Sequence, residues 1–187
     1  MCKVVFLTSR KFDSVSAHFR RALADELKHR GIEVVSRPTC WMMCRFRKHK
    51  TFGMAIGIDF FYDKCEGRGL TLNQNCSNIS RDFAYNLSNA LDIIIPRTPW
   101  RDFKFVNSDD KTWYRFFNKV SSSTKAIFYL CTYNNPSDRN AYHITFAKQI
   151  RAFADEIVRC LRSEYDTANY QKRVKAAKLR ISKIQES

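Results

Sequence analysis

Within its first 35 residues the chain passes through an apolar run, a helical stripe and a second apolar run. Residues 3–8 hold Val4-Val5-Phe6-Leu7, a compact run of the kind that forms a strand buried on both faces. From Ser14 to Arg30, Val15, Phe19, Leu23 and Leu27 recur at helical spacing. Ser14 is the expected N-cap of that helix and Gly31 its expected stop. Ile32 to Val35 is the next strand. Strand, helix and strand over so short a span form a βαβ unit, which argues for a parallel sheet covered by helices. The loop inside the unit, Thr8-Ser9-Arg10-Lys11-Phe12-Asp13, has no glycine, so it carries no phosphate-cradling fingerprint.

The rest of the chain continues in the same style. Cys40 to Cys44 and Met54 to Tyr62 are short strand-like pieces on either side of Arg45-Phe46-Arg47-Lys48-His49-Lys50. Gly67 to Asn78 reads as a loop. Ile79, Phe83, Leu87 and Leu91 predict a helix, and Ile93-Ile94-Ile95 a strand ended by Pro96 and Pro99. Ala126 to Cys131 predicts another buried strand, and Asn134-Asn135-Pro136-Ser137-Asp138 a turn. Tyr142 to Leu161 predicts a long helix with Phe146, Ile150, Phe153, Ile157 and Leu161 inward. Residues 166–187 form a basic amphipathic segment with a narrow stripe of Val174, Ala177, Ile181 and Ile184. There are no internal repeats.

Charge narrows the partners. The 187 residues carry 33 Lys and Arg against 18 Asp and Glu, a formal net charge of +15. Solubility alone asks for about 2–8 charges in a small domain. The excess points to a polyanion: nucleic acid, an anionic membrane surface or an acidic cell-wall polymer. With 44% hydrophobic residues and only 5 Gly and 4 Pro, disordered and fibrous classes are excluded for most of the chain. Met1-Cys2-Lys3 leads straight into the first strand, so no secretory signal is expected, and no apolar run reaches membrane-spanning length. The 7 cysteines then read as reduced thiols, and the Asn75 and Asn78 sequons as unused. Much of the charge lies in three segments: residues 37–50, 97–125 and 161–187. The middle segment interleaves its cations with Trp100, Phe103, Phe105, Trp113, Tyr114, Phe116 and Phe117. Cations neutralise phosphates, and aromatic faces stack on unpaired bases, a combination that suits single-stranded nucleic acid.

Three stretches resemble the catalytic domain of zinc-dependent N-acetylmuramoyl-L-alanine amidases, especially the phage lysin versions. Gly57-Ile58-Asp59-Phe60-Phe61-Tyr62 is similar to that family's Gly-hydrophobic-Glu-x-aromatic-Tyr strand. Ser80-Arg81-Asp82-Phe83-Ala84 is similar to the start of the following helix. Ala126 to Tyr142, with Asn135, Asp138 and Tyr142, resembles its last strand, turn and helix start. The resemblance implies an α/β fold with a mostly parallel central sheet flanked by helices. It implies an amidase-like domain at 1–161, followed by a basic amphipathic helix or tail at 162–187.

The same resemblance implies a zinc held by two His and one Glu, and a further Glu as general acid/base. Here Ser9-Arg10-Lys11 stands where the family has Gly-His-Gly, and Ser14, with Asp13 beside it, where it has the Glu ligand. The second His falls near Arg45 by rough alignment, and the catalytic Glu at Tyr129. His18, His29, His49 and His143 are scattered, and Cys40 and Cys44 have no second pair at zinc-ribbon spacing. Cys131 has no base near it in sequence that would make it a nucleophile.

The expectation is therefore a non-catalytic nucleic-acid-binding protein on a degenerate amidase-like fold, with RNA favoured over DNA. No catalytic residue, metal ligand or cofactor is expected. Arg10, Lys11, Arg45, Arg47, Lys48, Lys50, Arg101, Lys172, Arg173, Lys175, Lys178, Arg180 and Lys183 are expected to meet phosphate. Phe46, Trp100 and Trp113 are expected to stack on bases. The alternative is a divergent zinc amidase acting on cell wall. A third reading is an interaction module that docks on a second copy or another protein through the C-terminal helix. The chain is expected to be cytoplasmic and not secreted, without a membrane span, and phage-encoded by the family members it most resembles.

Overall fold

The computed structural model describes residues 4–9, 13–38, 52–63, 65–73, 76–96, 98–106, 116–117, 120 and 122–185; at 38, 101–106, 123 and 163–185 it describes the backbone alone. The elements are β1 (Val4–Ser9), α1 (Ser14–His29), β2 (Glu33–Pro38), β3 (Phe52–Phe61), β4 (Arg68–Asn73), α2 (Asn78–Ile94), β5 (Trp100–Val106), β6 (Ser122–Thr132) and α3 (Pro136–Gln185). They build a six-stranded sheet in the order β2-β1-β3-β6-β4-β5. β2, β1, β3 and β6 are parallel neighbours; β4 is antiparallel to β6, and β5 is parallel to β4.

The expected βαβ unit is present. All six residues of β1 are buried, as a strand covered on both faces requires. The cap of α1 is Asp13 rather than Ser14: its Oδ1 accepts from the backbone N–H of Val15 at 3.0 Å and of Ser16 at 3.3 Å. At the other end Gly31 has φ +76°, its N–H donates to Lys28 O at 2.9 Å, and Ile32 N–H donates to Leu27 O at 3.0 Å. That pair of bonds is a Schellman stop, and glycine takes the left-handed position without a Cβ penalty.

Described residues from all three helices pack on one face of the sheet. Phe19, Leu23 and Leu27 of α1, Phe83, Leu87 and Leu91 of α2, and Phe153, Ile157 and Leu161 of α3 join Leu7, Ile56, Leu70 and Phe128 in one core. On the other face Val4, Phe6, Phe52, Ala55 and Ile127 pack with Phe116, Phe117 and Val120.

Three further local expectations change. Ile93 and Ile94 are the last turn of α2, not a strand; the N–H of Ile95 donates to Leu91 O at 2.8 Å and closes it. Leu87, Leu91 and Ile95 continue the helical stripe inward, while Ile93 is 83% exposed. Residues 68–73 are a strand rather than part of a loop: Leu70 and Leu72 alternate into the core and the backbone pairs on both sides. α3 starts at Pro136, six residues before Tyr142, because Asn135 Oδ1 accepts from the N–H of Ser137 and Asp138 and so caps it. The helix then runs unbroken for 50 residues, past position 161.

Candidate functional site

β1, β3 and β6 are parallel, so their carboxyl ends share one edge of the sheet. β4 runs the other way, with β5 alongside it, so Arg68 and Trp100 enter their strands from that same edge. α1 and α3 also begin there, each following a strand that ends there. In open α/β sheets the carboxyl ends of the strands are where ligands gather.

At the centre of this edge Asp59 of β3 is in direct register with Tyr129 of β6. Asp59 is wholly buried, and its Oδ1 accepts from the N–H of Phe60 at 2.9 Å. Ile58 and Phe60 belong to the helix-covered core, so strand alternation turns Asp59 to the opposite face. There Tyr129 lies against Phe61, with ring centroids 4.5 Å apart and planes within 4°.

The helix-covered side holds a second polar group. Tyr142 of α3 meets Phe60 edge-on at 5.1 Å, and its hydroxyl is buried without a hydrogen-bond partner. Burial, then the fields of Cys131, Tyr133 and Asp13, push this phenol well above its ordinary value. Oδ1 of Asp13 caps α1, but its Oδ2 is buried and unpartnered, as is Oγ of Ser9. Burial, with a smaller push from Asp138, also drives the Cys131 thiol far up, so it stays neutral and a poor nucleophile.

The rim is aromatic. Tyr133 N–H donates to Phe61 O at 2.8 Å, and Asn134 Nδ2 donates to Tyr62 O, tying the ends of β3 and β6 together. The Tyr62 and Tyr133 rings then lie 6.3 Å apart. Arg139 sits 5.9 Å from the Tyr133 ring centroid, and His143 Nε2 lies 3.5 Å from its hydroxyl. Sequence reasoning offered none of Tyr62, Tyr133, Arg139 and His143 as a binding residue; it met Tyr62 only as the end of the family-like strand and His143 only as a scattered histidine. The two tyrosines lie 71 positions apart in the chain, and only the pairing of β3 with β6 brings them together.

Arg10, Lys11, Arg45, Phe46, Arg47, Lys48, Lys50 and Trp113 lie outside the described residues. Arg101 is a backbone position of β5, and Lys172, Arg173, Lys175, Lys178, Arg180 and Lys183 are backbone positions of the distal part of α3. Trp100 opens β5 and is engaged within the protein. Its Nε1 donates to Asp92 Oδ1 at 2.7 Å, and the Arg68 guanidinium stands 4.5 Å from its ring centroid. Arg68 is itself buried and also donates to Leu91 O at 2.9 Å and to Asp92. One cation of the 97–125 cluster turns inward: Lys125 Nζ donates to Phe117 O at 2.7 Å and Val120 O at 3.0 Å, and burial lowers its pKa.

His18 stacks on Phe146 at 5.1 Å, and among the described residues no three of His, Cys, Asp and Glu come together as a metal-binding group. No helix among them is long and apolar enough to cross a membrane.

No protein-family profile and no curated protein sequence matches the chain. Solved structures do. N-acetylmuramoyl-L-alanine amidase AmiC2 of Nostoc punctiforme is 12% identical with a TM-score of 0.60, covering 86% of this chain and 98% of its own. The N-acetylmuramoyl-L-alanine amidase from Clostridium difficile 630 is 11% identical with a TM-score of 0.62, covering 88% and 97%. The catalytic domain of the CD27L endolysin targeting Clostridia difficile is 13% identical with a TM-score of 0.61, covering 86% and 97%. At these identities the likeness is one of fold: the chain has the fold of the N-acetylmuramoyl-L-alanine amidases.

Proposed function

We propose that this chain uses the amidase fold to bind rather than to hydrolyse, and that its ligand is a nucleic acid, single-stranded RNA before DNA. The stack of Tyr129 on Phe61 carries this reading. The resemblance sets the family's catalytic Glu at Tyr129, where a general acid/base would act. The side chain present is a phenol packed flat on Phe61 in place of a carboxylate. A catalytic zinc also takes three protein ligands and an open position. Of the edge carboxylates, Asp13 lies on the helix-covered side beside Tyr142 and Asp59 faces the other way. Among the described residues these two carboxylates therefore do not converge on one point.

The +15 charge supports a polyanion as ligand. Arg10 and Lys11 directly follow the last residue of β1, and six cations lie between 172 and 183 on α3. The test is a mobility shift of the full chain with single-stranded RNA over a salt series. Retardation at low salt that weakens steeply as salt rises supports the reading. No shift at low salt, or a salt-independent one, overturns it.

One observation favours the alternative, a divergent zinc amidase. Asp13 Oδ2 is buried without a partner, beside Ser14, where the resemblance puts the family's Glu ligand. A carboxylate oxygen so placed suits a cation. Elemental analysis and a peptidoglycan digestion assay decide: one zinc per chain with amide cleavage establishes the alternative and removes the first reading.

A further inference from the structure

We propose that the rim formed by Tyr62 and Tyr133, flanked by Arg139, is a stacking site for one unpaired nucleobase, with Arg139 on its phosphate. This rests on the nucleic-acid reading and assigns that reading a place. Trp100, to which the sequence directs attention, has its ring against the buried Arg68 and its Nε1 bonded to Asp92, whereas the cation over Tyr133, Arg139, is exposed. Tyr62 is 38% exposed at the end of β3, and Tyr133 is half-buried at the end of β6. Their backbones are fixed to each other by the Tyr133 N–H to Phe61 O bond and by Asn134 on Tyr62 O. Tyr133 is further braced edge-on by Phe60 at 5.7 Å.

A rim whose strand ends are held by one main-chain bond and one from the Asn134 side chain is preorganised, so a planar ligand meets it with little ordering cost. An aromatic face accepts any base, because every base has a π-face. Arg139 is exposed and lies over the Tyr133 ring, where it can meet the backbone phosphate of a base stacked on Tyr62. His143 Nε2 lies 3.5 Å from the Tyr133 hydroxyl. The cation favours an anionic chain over a neutral sugar.

The experiment measures binding of the full chain to a fluorescein-labelled oligouridylate at low salt by anisotropy. A matched oligonucleotide with abasic positions serves as the second probe. Tyr62→Ala is expected to weaken oligouridylate binding roughly tenfold, the equivalent of one stack of about 1.4 kcal/mol. Tyr62→Phe and Tyr133→Phe, which keep the rings, are expected to bind as the unaltered protein does. Arg139→Ala is expected to lower the magnitude of the salt slope by about 0.7.

The unaltered protein should itself prefer the oligouridylate over the abasic probe, and Tyr62→Ala should erase that preference. This comparison needs no variant to establish its first half. Equal affinity for both probes, or a Tyr62→Ala variant that binds like the unaltered protein, overturns the stacking site while leaving RNA binding intact. Failure of the unaltered protein to bind either probe overturns the nucleic-acid reading and this site with it. Binding to soluble muropeptides, lost in Tyr62→Ala, assigns the rim to a sugar and also overturns the proposal.

Discussion

Asp138 of α3 accepts a hydrogen bond from the backbone N–H of Gly67 at 2.7 Å, across 71 positions of chain. The same Oδ2 accepts from Thr132 N–H at 3.2 Å, and Oδ1 from Thr98 Oγ1 at 3.5 Å. One buried carboxylate thus joins the start of α3, the end of β6 and the approaches to β4 and β5. Asp138→Ala leaves two buried backbone N–H groups without an acceptor. It is expected to cost about 2–4 kcal/mol in urea unfolding, and Asp138→Asn less, because one acceptor oxygen remains.

The cap of α1 gives a smaller, sharper expectation. Asp13→Ala removes the acceptor for two N–H groups and should cost about 1 kcal/mol. Asp13→Asn keeps the capping oxygen and should be nearly neutral in thermal unfolding. If Oδ2 holds a metal, Asp13→Asn also lowers the zinc content of the purified protein, which separates the two functional readings.

Cys131 and Tyr142 set an alkaline limit. Burial, the first cause for both, raises their pKa values above ordinary values of 9.0 and 10.0. Above about pH 9 the unfolded chain loses these protons while the folded chain keeps them. The stability they contribute is therefore full below about pH 9 and falls progressively as pH rises above it. Cys131→Val should flatten part of that fall in unfolding measured at a series of pH values. A Cys131→Val profile parallel to the unaltered one would refute the assignment. In the folded protein exposed Cys65 should react with a thiol reagent at pH 8, and Cys131 only after unfolding.

Trp100 is expected to be a structural aromatic. Trp100→Phe loses the bond to Asp92 and weakens the Arg68 contact, so it should lower stability by about 1 kcal/mol. Its affinity for single-stranded RNA should stay within about twofold, well short of the loss of one stacked base. A tenfold loss with unchanged stability would return Trp100 to the binding surface.

The first βαβ unit was legible because each of its signals is local: an apolar run, a 3.6-residue stripe and a glycine stop. The misplaced pieces show where locality ends. Ile93-Ile94-Ile95 looks like a strand, yet the residue that faces the core, Ile95, is chosen by the helix phase set at Leu87 and Leu91. β4 shows only Leu70 and Leu72 as inward signals, and its identity comes from pairing with β5 and β6. The resemblance found the fold but not the rim. Tyr62 and Tyr133 become neighbours through a parallel pairing that no spacing rule encodes.

The central place of β6 has a kinetic consequence. The pieces β2-β1-β3 and β4-β5 each close contacts within their own stretch of chain, but β6 alone joins them. Its partner β3 ends at Phe61, while β6 begins at Ser122, so the joining contact spans a long loop and is intrinsically slow. During synthesis from the amino terminus, β3 and β4 each wait with an open edge until residue 132 has left the ribosome. Chains cut short before Ser122 should therefore associate through those edges rather than remain as partly folded monomers.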